Sequence, residues 1–450
     1  MKLKLISLTL FSCVIMPTTC VLAQADSSLF AVQSVQNIRK LSLREIFSLA
    51  DKNNKDLKVL SSQIESTNED ISSVKQMLLP DISTTASVSY LGNGRIWDRD
   101  FTNSLTAEIP HFGNNFSLQV NQIIFAGGSI MSAVRQAEFG KQISMTMQQQ
   151  IKSGIHFLLA GYYLDIIKID NRIKIYDENI ALTDKLIKQT QIRMEHGDAL
   201  ENDVLRYELQ KANYVLAKQR LESNREIINI KLNKAAGLDL NTVIKTSEID
   251  NGEFSVPDDI SQSENTASTH SYEVLMSDIA LKQAQEGVKQ TQSNYLPKIF
   301  LTAQEHLDGP ITIEVPAIDK NFNYWFVGLG VSYDISQIYK NKSAKQKAKN
   351  NLYQSQINND IAKDNVLIAV KEDYINYQQS LGEVSVLEKS AELSEKNYNT
   401  IYARYNNGLS LVTDMLDAAN QKLSAELDLA NARINVLFAK IKLKYTLGGL

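Results

Sequence analysis

The 450-residue chain has only two cysteines and seven prolines. Both cysteines, Cys13 and Cys20, lie in the first 25 residues. That segment opens on Lys2 and Lys4, continues through an apolar stretch from Leu5 to Met16, and ends on Ala23-Gln24-Ala25. A short basic start, an apolar core too short to span a bilayer and small residues at −3 and −1 read as a secretory signal peptide over residues 1–25. Its removal would take every thiol with it, so no disulfide and no thiolate metal site is expected in the exported remainder. Pro17-Thr18-Thr19, ahead of Cys20, lacks the Leu-small-small run of a lipidation site. No stretch of 18 or more apolar residues exists, which excludes a transmembrane helix. A formal net charge of −4 lacks the basic excess that nucleic acid demands. The five histidines are isolated from one another, and none has a His or Cys partner at metal spacing. Gly127-Gly128 and Gly448-Gly449 lack the Lys-Ser/Thr that would make a phosphate loop. The chain reads as a non-enzyme without cofactor or metal.

The prolines are also unevenly placed. None occurs from His111 to Val256 or from Ala317 to the end. A helix interior cannot hold proline, so two runs this long predict long helices.

Within those runs the sequence repeats. Arg193-Met194-Glu195-His196-Gly197 matches Arg404-Tyr405-Asn406-Asn407-Gly408 at an offset of 211, and Asp203, Leu205 and Gly237 match Asp414, Leu416 and Gly448 at the same offset. Leu78-Leu79-Pro80 returns as Tyr295-Leu296-Pro297, 217 residues later. Order and spacing kept over such a distance mark a duplication. The reading is a first repeat over 26–237, a linker or equatorial segment over 238–269, and a second repeat over 270–450. Pro80 and Pro297 stop a helix and turn the chain to extended geometry.

After each Leu-Pro the pattern has a period of two. Strands are expected at about 82–91 and 116–125 in the first repeat, and at about 298–307 and 324–335 in the second. Ten residues suit a tilted strand crossing a bilayer, and Tyr90, Phe125, Trp325 and Tyr333 stand where an aromatic girdle would lie. Two hairpins on a soluble core would give the same alternation, but the rest of the chain offers no second sheet. Four strands leave open edges, which hydrocarbon does not tolerate. A barrel of about 8 strands is filled by its own side chains, so a conduit needs three copies and twelve strands.

Between the strands apolar residues recur every seven positions, as at Ile155, Tyr162, Ile169 and Tyr176, and again at Val370, Tyr377, Val384 and Ala391. A sustained heptad argues for coiled-coil packing. Helices over 129–195 and 341–405 would each be roughly 100 Å long. Gly197 and Gly408 end them, and Asp198 or Asn202, then Ser410, are the expected caps of the helices that follow. Five lysines (Lys340, Lys342, Lys345, Lys347 and Lys349) crowd the start of the second long helix, where the macrodipole disfavours cations. They read either as a contact with anionic lipid headgroups of the outer membrane or as a solvated helix face. The fold class is mainly α with a β-barrel part. Duplicated helical hairpins form a long coiled-coil tube, and four strands per chain enter a shared trimeric barrel. A secreted coiled-coil stalk or adhesin is the rival reading; it has no use for the alternating segments.

The last fifty residues carry a specific pattern. Tyr402-Ala403-Arg404-Tyr405-Asn406-Asn407-Gly408, Thr413-Asp414-Met415-Leu416-Asp417-Ala418, Ala430-Asn431-Ala432-Arg433 and Leu447-Gly448 together resemble the C-terminal signature of the TolC family of outer-membrane efflux proteins. The resemblance implies a homotrimer in the bacterial outer membrane, its helices extending into the periplasm. It implies an exit duct of a tripartite efflux pump or a type I secretion system, served by an inner-membrane transporter and a periplasmic adaptor. Carried over by motif, Asp414 and Asp417 look like ring residues of a periplasmic aperture. Tyr405 looks like a latch residue and Asp203 like its partner position. Gly197, Gly408 and Leu409 look like the tips an adaptor touches. Ser410 stands where the family pattern would place an arginine, with Arg206 or Arg404 as substitutes.

Overall fold

The elements follow one another in a doubled order, seen in a computed structural model that describes residues 38–247 and 259–450. The first half runs β1 (Ile38–Leu41), α1 (Leu43–Asn53), α2 (Lys55–Gln76), β2 (Asp81–Tyr90), a short hairpin of β3 (Gly94–Ile96) and β4 (Leu105–Ala107), β5 (Phe112–Phe125), α3 (Ser129–Glu195) and α4 (Glu201–Ala236). Next come β6 (Val243–Thr246), α5 (Ile260–His270), α6 (Tyr272–Ser293), β7 (Lys298–Gly309), β8 (Phe322–Ser332), α7 (Gln337–Asn406) and α8 (Val412–Thr446). Residues 1–25, read as a signal peptide, and 248–258 of the linker lie outside the described residues.

Local chemistry sets the boundaries. Ser42 and Glu45 form a capping box at α1, the Ser42 Oγ accepting from the Glu45 N–H and the Glu45 carboxylate accepting from the Ser42 N–H at 2.7 Å. Asn54 then caps α2 through the Asp56 and Leu57 N–H groups, while its own amide donates to the Ala235 carbonyl at 2.9 Å. One side chain thus both starts a helix and pins it to α4.

The four main strands form one antiparallel sheet in the order β2-β5-β7-β8. Register puts Ile82, Val120, Ala303 and Val327 in one row on one face, with Leu301 beside Leu329 and Ile299 beside Val331 in the rows below. The other face carries Ser83, Gln119 and Gln304 in one row, and Ser117 beside His306 in the next. One face is apolar and exposed in the single chain (Val327 61%, Leu329 68%); the other is largely polar on β2 and β5 and carries Phe300, Tyr324 and Phe326 among the polar residues of β7 and β8. The sheet does not close, and β2 and β8 are left as free edges.

Below the sheet the helices repeat its order. α2 packs on α3, α3 on α6 and α6 on α7, so α2-α3-α6-α7 continues β2-β5-β7-β8. Farther down, α4 lies on α3, α3 on α8 and α8 on α7. The strands and long helices of the chain therefore form a layer with one open side at β2, α2 and α4 and the other at β8 and α7.

Among the described residues the largest core lies at the waist. Leu43, Ile46 and Ala50 of α1 pack with Leu159, Tyr163 and Ile166 of α3, Leu232 of α4 and Ile441 of α8. The parallel pair β1-β6 seals this cluster, and the Tyr163 hydroxyl donates to the Leu41 carbonyl at 3.0 Å. His156 lies here, stacked on Phe47 at 4.3 Å with Nε2 2.9 Å from the Asp51 carboxylate. Burial lowers its pKa, against the opposing pull of Asp51. A histidine held below its unfolded value binds fewer protons folded than unfolded. Waist stability is therefore expected to fall as pH drops through and below the ordinary histidine range. The His156→Gln variant should show a smaller loss of melting temperature between neutral pH and pH about 5.

Contacts recur at the offsets of the repeated motifs. Gln148 of α3 donates to Ser61 of α2 at 3.0 Å, and Asn359 of α7 donates to Asp278 of α6 at 2.5 Å. Those pairs are related by 211 residues on the long helices and 217 on the short ones. Gly237 closes on Asn53, and Gly448 on His270, by the same two offsets.

Candidate functional site

Both helical hairpins turn by the same device at the end far from the sheet. Gly197 has φ +81° and Gly408 φ +72°, a left-handed conformation that suits glycine. The Asp198 N–H reaches the Arg193 carbonyl at 2.8 Å, and the Leu409 N–H reaches the Arg404 carbonyl at 2.9 Å, so each long helix ends in a Schellman-type bond. The cap residues of the returning helices α4 and α8 are Leu200 and Leu411. These residues replace the caps expected at Asp198, Asn202 and Ser410. An apolar residue can serve because an acid three positions on supplies the acceptor. Asp203 takes the Leu200 N–H and Asp414 the Leu411 N–H, both at 3.1 Å. Leu200 (69%), Leu409 (68%) and Leu411 (70%) are left exposed on the tips.

Tyr405 is buried between the two hairpins. Its hydroxyl lies 3.1 Å from the Thr190 Oγ1 of α3, and its ring meets Tyr207 of α4 edge-on at 6.4 Å. Arg193 covers the ring at 5.0 Å and donates to the Tyr405 carbonyl at 3.1 Å. Around it pack Leu186, Val204, Tyr398, Val412 and Met415. Burial pushes the Tyr398 phenol up to about 12, and raises that of Tyr207 as well. Both phenols therefore stay neutral across the physiological range, and the tip core holds by packing, the Tyr405–Thr190 hydrogen bond and the charged contacts of Arg193.

Tyr405 and Asp203 line one groove of about 340 Å³ between the tips, with Arg193, Arg206, Gly408 and Ser410. They share the groove without a hydrogen bond between them among the described residues: the Tyr405 hydroxyl faces Thr190, and Asp203 is taken up by its cap. The arginine at the tyrosine is Arg193, in the last turn of α3, and neither of the two considered from sequence. Its place in the repeated Arg-x-x-x-Gly motif, opposite Arg404, was the available signal. Thr190 left none, since a threonine in a long helix is unremarkable in sequence.

Asp414 and Asp417 lie three residues apart, both exposed. Asp414 also accepts from the Ser410 Oγ at 2.9 Å, and Asp417 accepts from the Gln421 side chain at 2.8 Å. The Leu411 N–H, then Ser410 and the charge of Arg404, hold the Asp414 carboxyl below its ordinary range. Ser410, at the position where an arginine would match, thus acts on the acid directly. Its folded pKa being depressed, Asp414 stays ionised at pH values where a free aspartate is already protonated.

The model of a family described as outer membrane efflux protein matches residues 46–238 and 265–449. The chain is 22% identical over 421 residues to the outer membrane protein TolC of Escherichia coli K12, covering 91% of this chain and 82% of that one. It is 21% identical to the Vibrio cholerae protein of the same name, over 91% of each. Among solved structures, the channel CusC superposes with a TM-score of 0.78 at 14% identity over 91% of this chain and 92% of that one. VceC of Vibrio cholerae superposes with a TM-score of 0.75 at 13% identity, over 90% and 96%.

Proposed function

We infer, for a chain that belongs to the outer membrane efflux protein family, that three copies complete a trimeric duct with a gate at its periplasmic tips. The observation that carries this reading is the shared order of sheet and helices, which leaves both open edges of each chain in line from one end to the other. Three such layers joined edge to edge give a closed wall, with the apolar sheet face in lipid and the polar face toward a water-filled bore. A stalk would need no such sheet. The duct performs no chemistry. An inner-membrane transporter supplies the energy, and substrates leave through the bore of a tripartite pump or a type I secretion system.

The gate is the pair of hairpin tips. Three copies of Asp414 and Asp417 around a narrow mouth make an acidic ring that attracts and holds cations. Tyr405, held by Thr190 and Arg193, keeps the second hairpin against the first, so parting the hairpins means extracting a buried tyrosine. A periplasmic adaptor would dock on Gly197, Gly408 and Leu409, where the exposed leucines offer an apolar seat.

Planar-bilayer recording tests the reading. Asp414→Ala with Asp417→Ala should relieve block by divalent cations at least tenfold without reducing the open conductance. In the unmutated protein the block should persist to lower pH than an ordinary aspartate ring would allow, because Asp414 titrates late. Arg193→Ala with Tyr405→Phe should raise the fraction of open channels. Unchanged block and unchanged opening in both variants would place the gate elsewhere.

A further inference from the structure

The open side at α7 carries an unusual charge pattern. From Ile335 to Asn359 there are five lysines and no acid. None of the five forms an ion pair among the described residues, although Lys345 lies over the Tyr295 ring at 5.3 Å. The start of α3, its duplicate, holds only Arg135, Glu138 and Lys141 over its first turns. The fold itself therefore does not require the lysines.

The duplication supplies the geometry of the missing contact. In a ring of chains the order α2-α3-α6-α7 is followed by α2 of the next copy. The contact α7 to the next α2 then repeats the contact α3 to α6 seen within one chain. At that internal seam Glu286 of α6, with a side chain only 8% exposed, lies 2.6 Å from Lys289 and 3.6 Å from Arg135, with Ser132 also bonded to it. Shifting by the offsets that relate Gln148-Ser61 to Asn359-Asp278 puts Glu69 in the place of Glu286 and Ser343 in the place of Ser132. The acid and the serine are kept. Both cations are lost, because Gln346 stands for Arg135 and Ser72 for Lys289. One turn before Glu69, Glu65 stands where the second repeat has Lys282.

Glu65 and Glu69 are exposed and have no ion pair among the described residues. They lie on the side of α2 opposite Ile64, Ile71 and Val74, the residues that turn toward α3. On α7, Ser343 and Gln346 lie opposite Asn341, which binds the Thr291 carbonyl of α6 at 2.8 Å. Lys340 and Lys347 flank that outward stripe on one side, Lys342 and Lys349 on the other.

We propose that Glu69 of one copy, supported by Glu65, inserts between Ser343 and Gln346 of the neighbouring copy and is neutralised there by Lys342 and Lys347. The seam between copies then reproduces the seam within a chain, with its cations moved from α6 and α3 onto α7. This rests on the trimeric reading above. It assigns the lysines to a protein partner of the same sequence in place of lipid headgroups.

Two experiments test the seam. The first uses a chain with Cys13 and Cys20 changed to serine, in which Glu69→Cys and Ser343→Cys are combined. Mild oxidation should yield disulfide-linked dimers and trimers, which neither single cysteine gives. The second heats detergent-purified particles and counts copies by light scattering. Glu65→Lys with Glu69→Lys should cut the surviving three-copy fraction at least fivefold, and adding Lys342→Glu with Lys347→Glu should restore it. If the unmutated protein forms three-copy particles while the cysteines do not link and the charge swap does not rescue, the seam is wrong and the trimer stands. If the unmutated protein is itself a single copy, the trimeric reading fails first. Replacement of Lys340, Lys342, Lys347 and Lys349 by glutamine distinguishes the lipid alternative. Unchanged particle survival, with binding to vesicles containing phosphatidylglycerol lost, would overturn the proposal in favour of the membrane surface.

Discussion

Arginine in place of Val327 or Leu329 is expected to reduce the yield of assembled protein well over tenfold. Both side chains are on the apolar face of β8, 61% and 68% exposed in the single chain, level with Ala303 and Leu301 of β7. A cation at the lipid-facing midplane of a barrel costs about 2–4 kcal/mol per site, and three copies multiply one substitution to about 6–12 kcal/mol. Gly328 and Gly330 alternate with them on the opposite face and provide a contrast. Gly328 has only the Thr302 methyl within reach, at 3.9 Å, so Gly328→Ser should assemble normally. Gly330 is packed under the Phe300 ring, where any side chain would collide at 2.4 Å. Recovery in the outer-membrane fraction reads the difference. Normal yields from both arginine variants would reverse the facing of the sheet.

Alanine at Gly237 or Gly448 should destabilise the fold by about 2–5 kcal/mol, the sum of a left-handed backbone cost and an overpacking cost. A Cβ on Gly237 would come within 2.8 Å of the Asn53 carbonyl carbon, and one on Gly448 within 2.5 Å of the His270 carbonyl oxygen. Backbone atoms cannot swing aside as a side chain does. Gly197 and Gly408 share the positive φ but have nothing within 4 Å, so alanine there should cost only about 1–2 kcal/mol. The four variants thus separate conformation from contact, using thermal unfolding followed by circular dichroism. Equal losses at all four would mean that Gly237 and Gly448 act through φ alone.

The long helices and the four-stranded sheet were legible because their signals are long. A proline-free run of a hundred residues and ten positions of strict alternation both outlast chance. The observed α3 begins and ends at residues 129 and 195, where Gly128 and Gly197 break the pattern. The shorter elements escaped for the opposite reason. β1 and β6 have four residues each and pair across 205 positions, Ile38 with Val243, so neither shows a period nor a turn linking it to its partner. β3 and β4 have three residues each.

At the tips, Asp414 and Asp203 were singled out by motif resemblance, but their first physical role is to accept the Leu411 and Leu200 N–H groups. Sequence placed the caps on Asp198, Asn202 and Ser410, the residue types that favour that position. It overlooked that an acid at the third helical position can satisfy the same donor behind a leucine. Arg193 was read as part of a repeat, and its contact with Tyr405 needed the four helices to be brought together.

The mass of the detergent-solubilised particle, measured by native mass spectrometry on the same sample that conducts in a planar bilayer, tests most directly whether each chain is one third of a wall. Three copies in every conducting particle is the predicted result. A stable single copy, or a conducting particle of any other number, would contradict it.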